Sequence, residues 1–384
     1  MGCRGGELNT NLDNMNTSNK TNIENEVQLI KIAVDMHLKS YRVVRQLDHS
    51  MVQPAQRFEP KRFYRWLEKQ KGKAERIAVC YEAGCFGYEP ARRMEAMGVE
   101  VYVIAPQNWD EQGKRQVNDK HDAAVMCRRL SEYLDGHRKA LCIVHIPSRE
   151  EEEKRAEGRF REQLCQEMRR MAARGRSLLL QREMAVKGRW WRGATWKEIH
   201  QKMPNWVVNK LEIWKEFIEK LGAKIAEQEE QLCGGSEAAE PRLFGEGELT
   251  HTLLRRELLN PERFKNARQV GNYYGLCPSE STTGDNRRLG SITKHGNPRL
   301  RRLMVELAWR IVRLQPQYVA LKRWGPLLHQ GKRSSSAARK KAIVAVARRL
   351  AIDLWRIALG RKTAEELGLR LAYEDKLDGE KLII

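Results

Sequence analysis

Asp119 and Asp122 stand three residues apart where an apolar periodicity begins (Ala123, Val125, Met126, Leu130). That spacing predicts a helix over 119–134, with Asn118 or Asp119 as its cap, and puts both carboxylates on one face of the first turn. Two carboxylates held that close repel unless a cation or a proton sits between them. A solvated first turn, where acids suit the helix dipole, accounts for the lone pair more simply. Two further acids shift the reading: Asp35 closes the strand-like run 29–34, and Glu82 closes the run 76–81. Open α/β sheets gather their chemistry at strand C-terminal ends, so Asp35, Glu82, Asp119 and Asp122 can converge on one point. An all-oxygen set suits Mg²⁺, and two such ions about 3.5–4 Å apart serve in-line phosphodiester chemistry. His37 and His121 beside the acids read as phosphate or carboxylate partners rather than ligands.

A second group of reactive side chains lies far down the chain. The segment 275–284 reads as a loop loaded with hydroxyls, among them Ser281, Thr282 and Thr283. It is followed by Arg287, Arg288, Lys294, Arg299, Arg301 and Arg302, with no acid between Arg287 and Arg302. Hydroxyls ahead of a basic run suit a phosphoryl-transfer nucleophile, because nearby cations stabilise the charge that develops; a plain phosphate-binding loop has the same makeup. Lys332 and Arg333 lie in a Ser-rich basic loop that suits a nucleic-acid backbone. Arg189, Trp190, Trp191 and Arg192 interleave aromatic and basic residues, as a surface that stacks on bases does; packing of the Trp pair at a helix corner fits equally well. Gly245 and Gly247, spaced Gly-x-Gly before a helical run, can present N–H groups to a phosphate, but Glu246 and Glu248 oppose that.

The elements that must position these groups follow from the hydrophobic pattern. Strands are predicted at 29–34, 41–47, within 52–58, at 76–81 and at 99–104, with helices at 60–71, 88–97 and 119–134. Three strands, then helix, strand, helix, strand, helix is the order of a ribonuclease-H-like sheet with helices on its faces. From 148 the composition turns to Glu, Arg and Lys with apolar residues at helical spacing, which predicts a long charge-laced helix over 148–184 and a second over 206–232. Helices are also predicted at 264–274, 300–314 and 337–359. The resulting division is a disordered tail 1–27, an α/β catalytic domain 28–147, a helical coiled-coil region 148–233, a linker 234–241, a mostly α-helical domain 242–362 and a tail 363–384. Lys and Arg number 71 against 50 acids, a net charge of +21, which favours a polyanionic partner, above all nucleic acid. No run approaches the apolar length of a membrane span, and no secretory signal opens the chain, so the expectation is a cytoplasmic, nucleoid-associated protein without a membrane partner. Eight scattered cysteines without CxxC spacing read as reduced thiols.

On these residues the chain resembles the DEDD-type transposases of bacterial insertion sequences, the group that includes the Piv DNA invertase and the bridge-RNA-guided recombinases. The likeness runs from about Lys31 to Arg361. It rests on Ala33-Val34-Asp35, Glu82-Ala83-Gly84, Asp119-Lys120-His121-Asp122-Ala123, Gly275-Leu276-Cys277-Pro278 to Gly284, and Ile292-Thr293-Lys294-His295-Gly296-Asn297 with Arg299-Leu300-Arg301. The resemblance implies a RuvC-like N-terminal domain, a coiled-coil middle that mediates assembly, and a C-terminal transposase domain. It implies a tetramer that cleaves and rejoins donor and target DNA, guided by a structured noncoding RNA that pairs with both. It makes Asp35, Glu82, Asp119 and Asp122 the Mg²⁺ ligands, and a serine just before the loop glycine the attacking group. Here the sequence departs, because Thr283 precedes Gly284 and the nearest serine is Ser281. Three readings stay open: Thr283 attacks, Ser281 attacks after a local shift, or strand exchange is impaired. Two rival functions share these residues, a metal-dependent nuclease or junction resolvase using water, and a non-catalytic nucleic-acid-binding derivative.

Overall fold

The structure is a computed structural model that describes residues 27–107, 119–234, 240–283, 286–329 and 335–372. The predicted tail before Val27, most of the predicted linker, and Lys332 with Arg333 lie outside the described residues. The chain forms two compact units, Met1–Ile146 and Pro147–Ile384.

The first unit is a five-stranded mixed sheet with helices on both faces. Its strands are β1 (Val27–Met36), β2 (Tyr41–Leu47), β3 (Gln56–Phe58), β4 (Ala74–Glu82) and β5 (Glu100–Ile104), in the order β3-β2-β1-β4-β5. β1, β4 and β5 run parallel, while β2 and β3 return antiparallel as a meander. The run Ile30–Val34 is buried without interruption because both faces of β1 are covered. Ile30, Ile32 and Val34 face α1 (Pro60–Lys71) and α2 (Glu89–Ala96), where Phe63, Leu67 and Met94 complete one core. Ala33, with Ala78 and Cys80 of β4, faces α3 (Asp119–Leu134) and its Ala123, Met126, Cys127 and Leu130. The three-residue β3 is shorter than its segment suggests, since only 56–58 pairs with β2.

Among its described residues the second unit is helical apart from one hairpin and an isolated bridge. A capping box starts α4 (Arg149–Leu180): Ser148 Oγ accepts the Glu151 N–H at 3.1 Å, and Glu151 Oε2 accepts the Ser148 N–H at 2.8 Å. α4 pairs with α6 (Asn205–Cys233), and the short α5 (Gly193–Lys202) closes their end. α7 (Glu248–Leu258), α8 (Ala267–Tyr273), α9 (Pro298–Leu314), α10 (Leu321–His329) and α11 (Ser336–Ala358) build a further core around Leu300, Leu307, Ile311, Val346 and Leu350. Arginines of α4 reach acids of α6 and α7, so the predicted middle region and C-terminal domain make one compact unit rather than two. The predicted tail from 363 is also corrected. Ala364, Leu367 and Leu369 are buried, and Leu371 bridges to Leu243, because three apolar residues there have a core to enter. The cysteines among the described residues are free thiols.

Candidate active site

β1 and β4 lie side by side in the register Ala33↔Cys80 and Val34↔Tyr81, so Asp35 and Glu82 occupy the next row at the C-terminal ends of two adjacent parallel strands. Side chains alternate along a strand. Ala33 and Cys80 face α3 and Val34 and Tyr81 face away, so Asp35 and Glu82 return to the α3 side. α3 runs counter to β1. Its Ser131 hydroxyl accepts a 2.7 Å bond from the buried Lys31 ammonium, its Cys127 Sγ sits 3.7 Å from the Lys31 carbonyl, and its Met126 carbonyl lies 3.9 Å from Cys80 Sγ. A strand rises about 3.3 Å and a helix about 1.5 Å per residue, so Lys31 to Asp35 and Cys127 to Asp119 each cover roughly 12–13 Å. The first turn of α3, with Asp119 and Asp122, therefore comes level with the row of Asp35 and Glu82.

Asp35 is three-quarters buried and its Oδ2 lies 3.1 Å from His37 Nε2. Glu82 is half-buried, and its Oε1 accepts the Gln107 N–H at 3.0 Å, which ties the carboxylate to the segment after β5. Asp122 is half-buried one turn ahead of Met126. The side chains of Asp119 and His121 lie outside the described residues, and among the described ones no three His, Cys, Asp or Glu side chains form a metal-holding group. The donors that line this end of the sheet are hard carboxylate oxygens, which fit Mg²⁺ rather than a soft metal.

The hydroxyl segment is not a loop. It is β6 (Pro278–Thr283), paired antiparallel with β7 (Asn286–Ile292) as a two-stranded ribbon. β-branched threonines and a Gly-Asp pair between two short runs are also a hairpin signal, which the hydroxyl count obscured. The register sets Ser281 opposite Arg288, Thr282 opposite Arg287 and Thr283 opposite Asn286. Positions 281 and 283 thus fall on one side of the ribbon with position 288, and positions 280 and 282 on the other. Ser281 and Arg288 are exposed, and Thr282 Oγ1 donates to Glu280 Oε1 at 3.1 Å. The side chains of Thr283 and Arg287 lie outside the described residues.

Several predicted nucleic-acid contacts have internal partners. Arg299 Nε and Arg302 Nη1 donate to Glu162 of α4 at 2.7 and 2.5 Å. Arg301 Nη1 donates to the carbonyls of Lys294 and Tyr274 at 3.2 and 3.5 Å, pinning the β7–α9 connection. Asn297 caps α9 through the Arg299 and Leu300 N–H groups, and its Nδ2 donates to the buried Glu257 at 2.8 Å. Glu257 also accepts two bonds from Arg159. Burial disfavours the charged forms of Glu257 and Glu162, but their arginine partners outweigh it and hold both carboxyls below the usual range. Sequence reading missed this network, since its partners stand 98 and 137 residues apart.

The Trp pair is corrected. Trp190 and Trp191 are 0% and 7% exposed inside the α4–α6 hairpin, so neither offers a face to a base, while Arg189 and Arg192 beside them are exposed. The Gly-x-Gly phosphate reading fails for a related reason. Glu246 turns inward, accepts the Leu243 N–H at 3.1 Å and lies 3.4 Å from His251 Nδ1.

The end of the sheet that carries Asp35 and Glu82 and the basic helical unit can be set beside what the chain is similar to. Residues 242–322, which hold α7 to α9 and the ribbon, match the family described as transposase IS116/IS110/IS902. A Sinorhizobium fredii protein described as a transposase is 27% identical over 303 residues, 72% of this chain and 76% of its own length. A Pseudomonas aeruginosa protein described as a family 20 transposase is 27% identical over 76% of this chain and 86% of its own. The Yersinia enterocolitica transposase for insertion sequence element IS1328 is 28% identical over 60% and 69%. These matches are likenesses to IS116/IS110/IS902-type transposases of insertion sequences, strongest in the segment 242–322. No helix among the described residues is long and apolar enough to cross a membrane.

Proposed function

We propose that this transposase cleaves and rejoins DNA strands by hydroxyl attack on a phosphodiester, with the acid end of the sheet orienting the phosphate. The observation that carries the reading is the row formed by Asp35 and Glu82 on adjacent parallel strands, level with the first turn of α3. Asp35, Glu82, Asp119 and Asp122 would hold Mg²⁺, which when bound polarises phosphate oxygens as a Lewis acid. The hydroxyl of Thr283, or of Ser281, attacks phosphorus and loses its proton. A new O–P bond forms, the bond to the leaving DNA oxygen breaks, and that oxygen takes up a proton. Arg287, Arg288 and Lys294 offset the charge that develops. A DNA hydroxyl then attacks the protein–DNA ester, rejoins the strand and frees the side chain.

A structured noncoding RNA that pairs with donor and target DNA, and a tetrameric assembly in the nucleoid, complete the proposal. Self-association is supported by Trp206, Ile213 and Phe217, exposed large apolar residues that recur along α6 at heptad-like spacing. The test is Asp35→Asn, which preserves shape and removes charge. DNA cleavage with Mg²⁺ should fall at least about a hundredfold while DNA binding is kept. An Asp35→Asn protein that cleaves normally would sink the assignment.

A further inference from the structure

We propose that Arg348 of α11, together with Arg301, forms a phosphodiester-binding site at the root of the β6–β7 ribbon. The inference rests on the nucleic-acid reading above and adds a residue outside the acid row, the hydroxyl ribbon and the basic run that follows it.

The two guanidinium groups lie on either side of the C-terminal turn of α8. A Cβ at Gly271 would stand 3.2 Å from Arg348 Nε and 2.9 Å from Sγ of Cys277, the residue that leads into β6. One turn on, a Cβ at Gly275 would press on Arg301 Nη1 and stand 3.2 Å from the Lys294 carbonyl carbon. Gly275 lies just past the end of α8, four positions on from Gly271, so the guanidinium groups of Arg348 and Arg301 come within roughly 12 Å of each other. Gly271 leaves the room that Arg348 occupies, and Gly275 turns the chain at φ +64° into the space beside Arg301.

What marks this cluster is the lack of a counter-charge. Arg299 and Arg302 are neutralised by Glu162, and Arg349 and Arg356 by the buried Asp353. Arg348, flanked by these, has no acid partner among the described residues, and its Nε is enclosed with nothing to donate to. Arg301 meets only main-chain carbonyls, those of Tyr274 and of Lys294, whose backbone is held at φ +59°. A partly buried guanidinium is ordinarily paired with an acid, and two guanidinium groups without a counter-charge repel. An arrangement that costs stability without a ligand, and that offers guanidinium N–H groups at the foot of the hydroxyl ribbon, suits an anion with several acceptor oxygens. On a basic nucleic-acid-acting chain that anion is a backbone phosphate.

The test uses the full chain with inorganic phosphate, a pool of random-sequence DNA duplexes, and a pool of structured RNAs. Arg348→Gln should hold or raise the melting temperature, because it relieves repulsion. It should weaken nucleic-acid binding about tenfold and make the log–log salt dependence for duplex DNA shallower by about 0.9, the signature of one lost phosphate contact. Phosphate should raise the melting temperature of the wild type more than that of the variant, and Arg348→Lys should restore most of the affinity. A larger loss on duplexes assigns the site to DNA, and a larger loss on structured RNA assigns it to RNA. A lower melting temperature with unchanged affinity and slope makes Arg348 a packing residue and overturns the site. Wild-type binding that Arg348→Gln leaves intact removes this site alone, whereas a wild type that binds neither pool removes the nucleic-acid reading as well.

Discussion

Trp190 donates its indole N–H to the Ala172 carbonyl at 2.9 Å, and Gly175 leaves the space that its ring fills. Full burial of a large aromatic with its one polar atom satisfied is the condition under which Trp stabilises a core. Trp190→Ala should therefore destabilise the second unit by about 3–5 kcal/mol, and Gly175→Ala by about 1–3 kcal/mol through overpacking, both read by chemical denaturation. DNA affinity per folded molecule should not change. A Trp190→Ala protein of normal stability and weakened DNA binding would restore the stacking role. At the same scale, Thr283 differs from the serine that the family resemblance implies by one methyl group on Cβ. That branch restricts χ1 and crowds the approach to phosphorus, so Thr283→Ser tests hindrance directly.

Two helices carry the argument at the scale of elements. α3 is fixed against β1 by Lys31, which is 1% exposed and bonds both Ser131 Oγ and the Asp48 carbonyl. That tether sets how far the first turn of α3 reaches along the strand. α4 is fixed by charge, through Arg159 to Glu257 and through Glu162 to Arg299 and Arg302. Because Glu162 and Glu257 titrate below the usual carboxylate range, their stabilisation is fully present above the unfolded value near 4.3 and is lost as pH falls through the lower folded values. Protection of α4 amides, taken relative to their intrinsic exchange rates, should thus fall below about pH 4, and Glu257→Gln should cost about 1–2 kcal/mol at neutral pH, less than a fully buried pair because Arg159 is partly exposed. Protection in α4 that stays flat from neutral pH to pH 3 would contradict the charge docking.

The uneven legibility of the sequence follows from the same physics. The strands and helices of the first unit were readable because continuous apolar runs and helical spacing report directly on burial, as 119–134 and 60–71 illustrate. The ribbon was not readable as strands, since exposure on both faces leaves no alternation to detect, and hydroxyls suit turns as well as strands. The docking of α4 was hidden because ion pairing between distant residues leaves no period along the chain. Asp35 and Glu82 were found at the strand ends where they lie, but their common row needed the parallel register.

Across the whole molecule, the excess of 21 positive charges argues for a polyanionic partner and says little about the fold. Many arginines of the second unit are spent internally on Glu162, Glu229, Glu257 and Asp353, so the charge left for nucleic acid is concentrated at fewer positions than the basic composition suggests. The proposed reaction passes through a covalent protein–DNA ester. The most direct measurement is mass spectrometry of the wild-type chain after reaction with DNA and Mg²⁺, with the attached nucleotide mapped to its peptide. The account predicts an adduct within 278–283, at Thr283 or Ser281, that Asp35→Asn abolishes. Efficient cleavage with no adduct, undiminished when both hydroxyls are replaced by alanine, would contradict it and make water the nucleophile.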